Sequence, residues 1–123
     1  MKVRILLVED DLIAQKLAVF TLNDFGCQVD IAATGSKALE LANTNSYNII
    51  FMDMGLPDID GLTVTETIRT QEGNKDIPII ALTAHSKNML FDQCMASGIT
   101  EFINKPLTSE IADKILDVYL HKD

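Results

Sequence analysis

Short apolar runs rich in β-branched residues alternate along this chain with longer amphipathic segments, and no proline- or serine-rich linker interrupts them. Val3 to Val8 is apolar at every position except Arg4, as befits a strand covered on both faces. Leu12 to Phe25 predicts a helix stopped by Gly26. Val29 to Ala32 predicts a second strand, and Ser36 to Ala42 a second helix after the Thr34-Gly35 turn. Asn48 to Met52 reads as the third strand, and Pro78 to Leu82 as the fourth, entered through the polar turn Gly73-Asn74-Lys75-Asp76. Ser86 to Ser97 reads as a helix closed by Gly98, and Thr100 to Ile103 as a short fifth strand. Thr108 is placed to cap a final helix with Ile111, Ile115, Leu116 and Tyr119 on one face. One segment is in conflict with itself. Leu62 to Ile68 alternates threonine with other residues at period two, which favours a strand. Its position between two buried strands calls for a crossover, so a helix is expected. The pattern sums to an α/β fold of five βα units in one domain over residues 1–123, a three-layer sandwich with a parallel sheet between helices.

Bulk properties narrow the function. At 123 residues the chain can bury a core without disulfide or metal staples. Its formal charge of −8 argues against direct contact with nucleic-acid backbone or an anionic membrane surface, since no basic stripe is present. No stretch approaches membrane-spanning length, and the N-terminus lacks a signal-peptide profile, so a soluble, cytoplasmic chain is expected. Cys27 and Cys94 show no metal or redox spacing and read as buried small hydrophobes.

The chemistry lies just beyond the apolar runs. Glu9 and Asp10 follow the first, Asp53 ends the third, Thr83 follows the fourth, and Lys105 follows Phe102-Ile103-Asn104. Parallel strands would bring these residues to one sheet edge, where open α/β sheets bind their ligands. Two carboxylates ~4 Å apart repel by roughly 4 kcal/mol at an effective dielectric near 20, a cost that a divalent cation would remove. Lysine adds positive charge and threonine a hydrogen-bond donor. That set is equipped to carry a phosphoryl group.

These residues in this order resemble the receiver domain of bacterial two-component signalling, the family of the chemotaxis response regulator. The resemblance covers essentially the whole chain. It rests on Glu9-Asp10 after the first strand, Asp53 within FMDMGLPDIDG, Thr83 followed by Ala84, and Lys105-Pro106. It implies a flavodoxin-like fold with strand order 2-1-3-4-5. It further implies that Asp53 is the phosphoacceptor and that Glu9, Asp10, Asp53 and the Gly55 carbonyl hold Mg²⁺. Thr83 and Lys105 would meet phosphoryl oxygens, Thr83 and Phe102 would form the switch, and Pro106 would follow a cis peptide bond. The implied partner is a histidine kinase or a histidine phosphotransfer protein. The wording of ALTAH and FMDMGLPDIDG resembles receivers of hybrid sensor kinases.

Other positions admit plainer readings. Asp58 and Asp60 read as turn residues and solvated charge, Asp11 as the residue opening the first helix, and His121 as uninformative. Gly55 and His85 flank the site, where His85 either sets the lifetime of a phosphorylated state or is a solvent-facing loop histidine. In the first helix, Ala14, Leu17, Ala18, Leu22 and Phe25 form the expected core stripe. Ile13 and Phe20 lie off it, with Lys16 and Val19 farther round, as a surface for docking a histidine-bearing helix. Two competing functions remain: an aspartyl-phosphate enzyme of the haloacid dehalogenase type, or a binding module that works without phosphorylation. The first of these wants a second aspartate where Gly55 stands. The last helix and fifth strand lack an obvious pattern of paired charges for dimerisation, so a monomer is the default.

Overall fold

The computed structural model describes residues 2–83 and 95–120. Strands β1 (Arg4–Val8), β2 (Gln28–Ala32), β3 (Ile49–Asp53), β4 (Ile79–Thr83) and β5 (Glu101–Asn104) form a parallel sheet in the order 2-1-3-4-5. Registers such as Val8 with Met52 and Asp53 with Leu82 align the strand ends, so that Glu9, Asp53, Thr83 and Lys105 leave the sheet along one edge. Ile5 to Val8, Ile49 to Asp53 and Ile79 to Thr83 are buried throughout, as expected for central strands covered on both faces.

Helices α1 (Leu12–Asp24), α2 (Gly35–Thr44), α3 (Gly61–Thr70) and α4 (Ser109–Leu120) follow β1, β2, β3 and β5. The core divides into two layers. Ile5, Leu7, Phe51, Ile80 and Leu82 pack with Ala18 and Leu22 of α1 and with Ile115 and Leu116 of α4. Leu6, Val8, Ile50, Met52 and Ala81 pack on the other side with Ala38 of α2 and Val64 and Ile68 of α3. The expected helix over 86–97 lies mostly outside the described residues; positions 95–97 are helical.

The segment with conflicting signals is α3. Asp60 caps it, accepting from the Thr63 amide at 2.9 Å and the Thr63 hydroxyl at 3.2 Å. Val64, Thr65 and Ile68 face inward at helical spacing, and Thr67 and Thr70 turn their hydroxyls to the carbonyls of Thr63 and Thr67. Those local bonds give threonine a role on a helix that period-two counting overlooks.

The α1 stripe needs one correction. Ala18 and Leu22 are buried and Ala14 and Phe25 half-buried, but Leu17 is 56% exposed. At about 100° per residue, Ala14, Ala18, Leu22 and Phe25 share one narrow arc, and Leu17 stands a quarter-turn from Ala18.

The far end of the sheet is tied by Arg69. Its guanidinium donates to the carbonyls of Gly98 (2.7 and 3.0 Å), Ile77 (2.6 Å) and Asn74 (3.1 Å), and to the Thr100 hydroxyl (3.3 Å). Burial pulls its pKa below the ordinary arginine value.

Candidate functional site

Each functional side chain stands at a strand end because the buried run before it leaves no choice of where the chain emerges. Glu9 follows β1 and is only 1% exposed, its amide donating to the Ala32 carbonyl at 2.9 Å. Asp53 closes β3 and Thr83 closes β4, both buried, while Asp10 is exposed. Lys105 lies just past β5, its amide donating to the Thr83 carbonyl at 2.8 Å. The peptide bond between Lys105 and Pro106 is cis, as the resemblance implied.

Lys105 Nζ sits 2.8 Å from Glu9 Oε1 and 3.3 Å from Asp53 Oδ1. The Gly55 amide donates to the same Asp53 oxygen at 3.1 Å, and the Asp11 amide to Glu9 Oε2 at 3.1 Å. One oxygen each from Glu9, Asp10 and Asp53 lies within 4.8 Å of the other two. Burial pushes the Glu9 carboxyl above its ordinary value, against the lowering pull of Lys105 and the Asp11 amide. Burial also draws Lys105 down, but Glu9 and Asp53 together outweigh it and leave the ammonium more firmly protonated than usual. The site gathers three carboxylates around one ammonium, so that negative charge is left over. Such hard, all-oxygen donors suit Mg²⁺.

The remaining sequence candidates fall as follows. Phe102 is buried in the core layer that holds Ala81 and Ile99. Asp11 caps α1, accepting from the Ala14 amide at 2.8 Å, and Thr108 accepts from the Ile111 amide at 3.2 Å. Ile13 and Phe20 are 70% and 76% exposed, and Lys16 lines an open apolar groove of 430 Å³ with Leu12, Val19, Phe20 and Ile31. Cys27 is buried. His85, Cys94 and His121 lie outside the described residues.

Asp58 is more than solvated turn charge. It accepts from the amides of Gly35 (2.8 Å) and Ser36 (3.1 Å) and from the Ser36 hydroxyl (2.9 Å). These donors, the Gly35 amide foremost, hold its carboxyl well below the usual carboxylate range. No local signal marked this role, since α1 and α3 also lack an acidic residue in the first turn and make no such bond to a distant loop among those described.

A family model for the response regulator receiver domain matches residues 5–116. The chain belongs to that family. The transcription factor prr1 of Schizosaccharomyces pombe is 39% identical over 105 residues, covering 85% of this chain and 19% of that protein. Histidine kinase 5 of Arabidopsis thaliana is 33% identical over 146 residues, covering 98% of this chain and 16% of that protein. This receiver sequence thus spans less than a fifth of these two curated relatives. Fungal and plant relatives also widen the bacterial setting that the motifs suggested.

Solved receivers agree in shape. The receiver domain of a sensor histidine kinase from Pseudomonas aeruginosa superposes with a TM-score of 0.91 at 33% identity, covering 99% of this chain and 100% of that one. That structure holds a magnesium ion coordinated in its active site cleft. Chemotaxis protein CheY4 of Vibrio cholerae gives a TM-score of 0.92 at 28% identity, covering 98% of this chain and 100% of that one. Among the described residues no helix is long and apolar enough to cross a membrane.

Proposed function

We propose that this chain is a single receiver domain that takes a phosphoryl group from phosphohistidine onto Asp53 and so acts as a signalling switch. One observation carries the reading: oxygens of Glu9, Asp10 and Asp53 converge within 4.8 Å of one another, beside the Lys105 ammonium. Asp10, Asp53, Glu9 and the Gly55 carbonyl would hold Mg²⁺. The bound ion would neutralise phosphoryl oxygens and so permit one anion to approach another.

An Asp53 carboxylate oxygen attacks phosphorus as the phosphorus–nitrogen bond breaks, and the electron pair of that bond stays on the partner's imidazole. Lys105 keeps a fixed positive charge beside the incoming oxygens, so no reorganisation is needed as charge builds up. The Gly55 amide holds the Asp53 carboxylate in one orientation. Thr83, at the end of the neighbouring strand, supplies a hydroxyl for the acyl phosphate, and Phe102 transmits the change. Moving such a switch from 1:99 to 99:1 takes about 5.5 kcal/mol. A few charge-assisted hydrogen bonds of about 1.5–3 kcal/mol each supply it.

The histidine-bearing partner, a kinase or a phosphotransfer protein, docks on the exposed apolar face of α1 through Ile13, Lys16 and Phe20. The domain works as a cytoplasmic monomer, without direct nucleic-acid contact, and turns over no outside substrate. Intact mass after incubation with Mg²⁺ and acetyl phosphate tests the core of this. One added phosphoryl group is expected, lost with chelator and in Asp53→Ala; no gain under any condition would overturn it.

A further inference from the structure

The loop from Met54 to Asp60 carries the Gly55 carbonyl, and glycines close it in on two sides. A Cβ on Gly61 would meet the Asp53 carbonyl oxygen at 2.8 Å and Met54 Cα at 3.0 Å, so the start of α3 closes directly over the phosphoacceptor backbone. A Cβ on Gly35 would meet Val64 Cγ2 at 2.9 Å, Ile59 Cβ at 3.0 Å and Asp58 Oδ1 at 3.2 Å, so the start of α2 lies against the same loop. Asp58 makes that second contact polar and directional. In the first turn of α2, Thr34 Oγ1 accepts from the Lys37 amide at 3.1 Å. The Gly35 and Ser36 amides turn instead to Asp58, from a different element. The N-terminus of α2 is therefore completed by the loop that follows Asp53, through bonds strengthened by the carboxylate charge and the helix dipole.

We propose that Asp58 is a positioning residue for the metal site: tied to the start of α2, it limits the movement of residues 54–57, among them Gly55, whose carbonyl would join Asp10 and Asp53 around the ion. This rests on the metal-dependent function proposed above. The loop is fixed at Asp53 by strand pairing and at Asp60 by the α3 cap, and Asp58 is its polar hold on a third element. Without it, the carbonyl samples a wider range, and holding the ion costs more ordering of the loop.

The test is a Mg²⁺ titration of the intact chain followed by amide NMR, with thermal unfolding of the same samples. The variants are Asp58→Ala, Asp58→Asn and Thr34→Ala. Asp58→Ala should weaken Mg²⁺ binding by about tenfold, the low end for residues that support metal ligands. Asp58→Asn, which keeps acceptor oxygen for one amide, should fall between it and wild type. Thr34→Ala frays α2 without touching the loop and should bind Mg²⁺ as wild type does. Wild-type affinity in Asp58→Ala, or an equal loss in Thr34→Ala, would overturn the assignment and leave Asp58 a helix cap alone. A wild-type chain with no saturable Mg²⁺ binding would sink the metal-dependent function itself, and the positioning role with it.

Discussion

Lys105 Nζ lies 2.8 Å from Glu9 Oε1, nearer than to Asp53 Oδ1 at 3.3 Å. The lysine that pairs with Asp53 is thus also the cation that makes a nearly inaccessible glutamate tolerable. Removing it leaves the Glu9 carboxylate buried without its charge partner. In metal-free buffer Lys105→Ala should lose about 1–3 kcal/mol, the usual cost of stranding a buried polar group, with charge pushing toward the upper end. Urea unfolding measures it. Adding Glu9→Gln should recover most of the loss, and a double variant no more stable than the single one would refute the pairing argument.

Like charges packed this closely also predict a metal response. Since Mg²⁺ would bind the folded chain alone, saturation at about 100 times Kd should add about 2.7 kcal/mol of stability. Asp10→Asn should remove most of that gain while raising metal-free stability, because one repelling charge is gone. Calorimetric melts with and without Mg²⁺ separate the two effects; a metal-free Asp10→Asn less stable than wild type would contradict them.

The exposed face of α1 makes a claim about transfer that does not involve the chemistry. Ile13→Ser combined with Phe20→Ser should cut phosphoryl transfer from a histidine-bearing partner by at least about tenfold, roughly 1.4 kcal/mol of lost contact. Phosphorylation by acetyl phosphate should be untouched. Transfer at the wild-type rate from a partner that phosphorylates the wild-type chain would show that docking lies elsewhere.

Asp58 predicts a pH dependence with a definite sign. Its folded pKa lies below the ordinary 3.8, so between the two values the unfolded chain binds a proton that the folded chain does not. Stability therefore rises with pH through that window, and the contribution is present above it and lost as pH falls. Asp58→Asn should be less stable than wild type near neutral pH, with the gap closing below about pH 4. Urea midpoints across the acid range provide the check; a gap constant with pH would mean that the carboxylate charge is not what stabilises.

The strands and the polar residues that close them could be read from the sequence for the same reason. A strand buried on both faces is an uninterrupted apolar run, so Glu9, Asp53 and Thr83 announce themselves as the first polar residues after it. What escaped depended on spatial partners. Asp58 looks like turn charge until α2, twenty-odd residues earlier in the chain, is laid beside it. Leu17 shares helical spacing with the core stripe of α1 but stands at its margin, where only the packing of neighbouring elements decides burial. Helix α3 follows from topology against its own period-two pattern, because threonine hydroxyls bonded to the helix backbone let these residues sit on a helix.

Glu9 and Lys105 stand near opposite ends of the chain, on strands that the sheet order keeps apart, and only the lysine's length spans the ends of β3 and β4 to join them. The charge cluster consequently needs both ends of the chain in place. A nascent or clipped chain that has not docked β5 has acidic residues at the ends of β1 and β3 without the Lys105 ammonium between them. If Asp53 is the phosphoacceptor proposed above, competence to take the group would wait for the last strand, and a chain lacking β5 would be passed over.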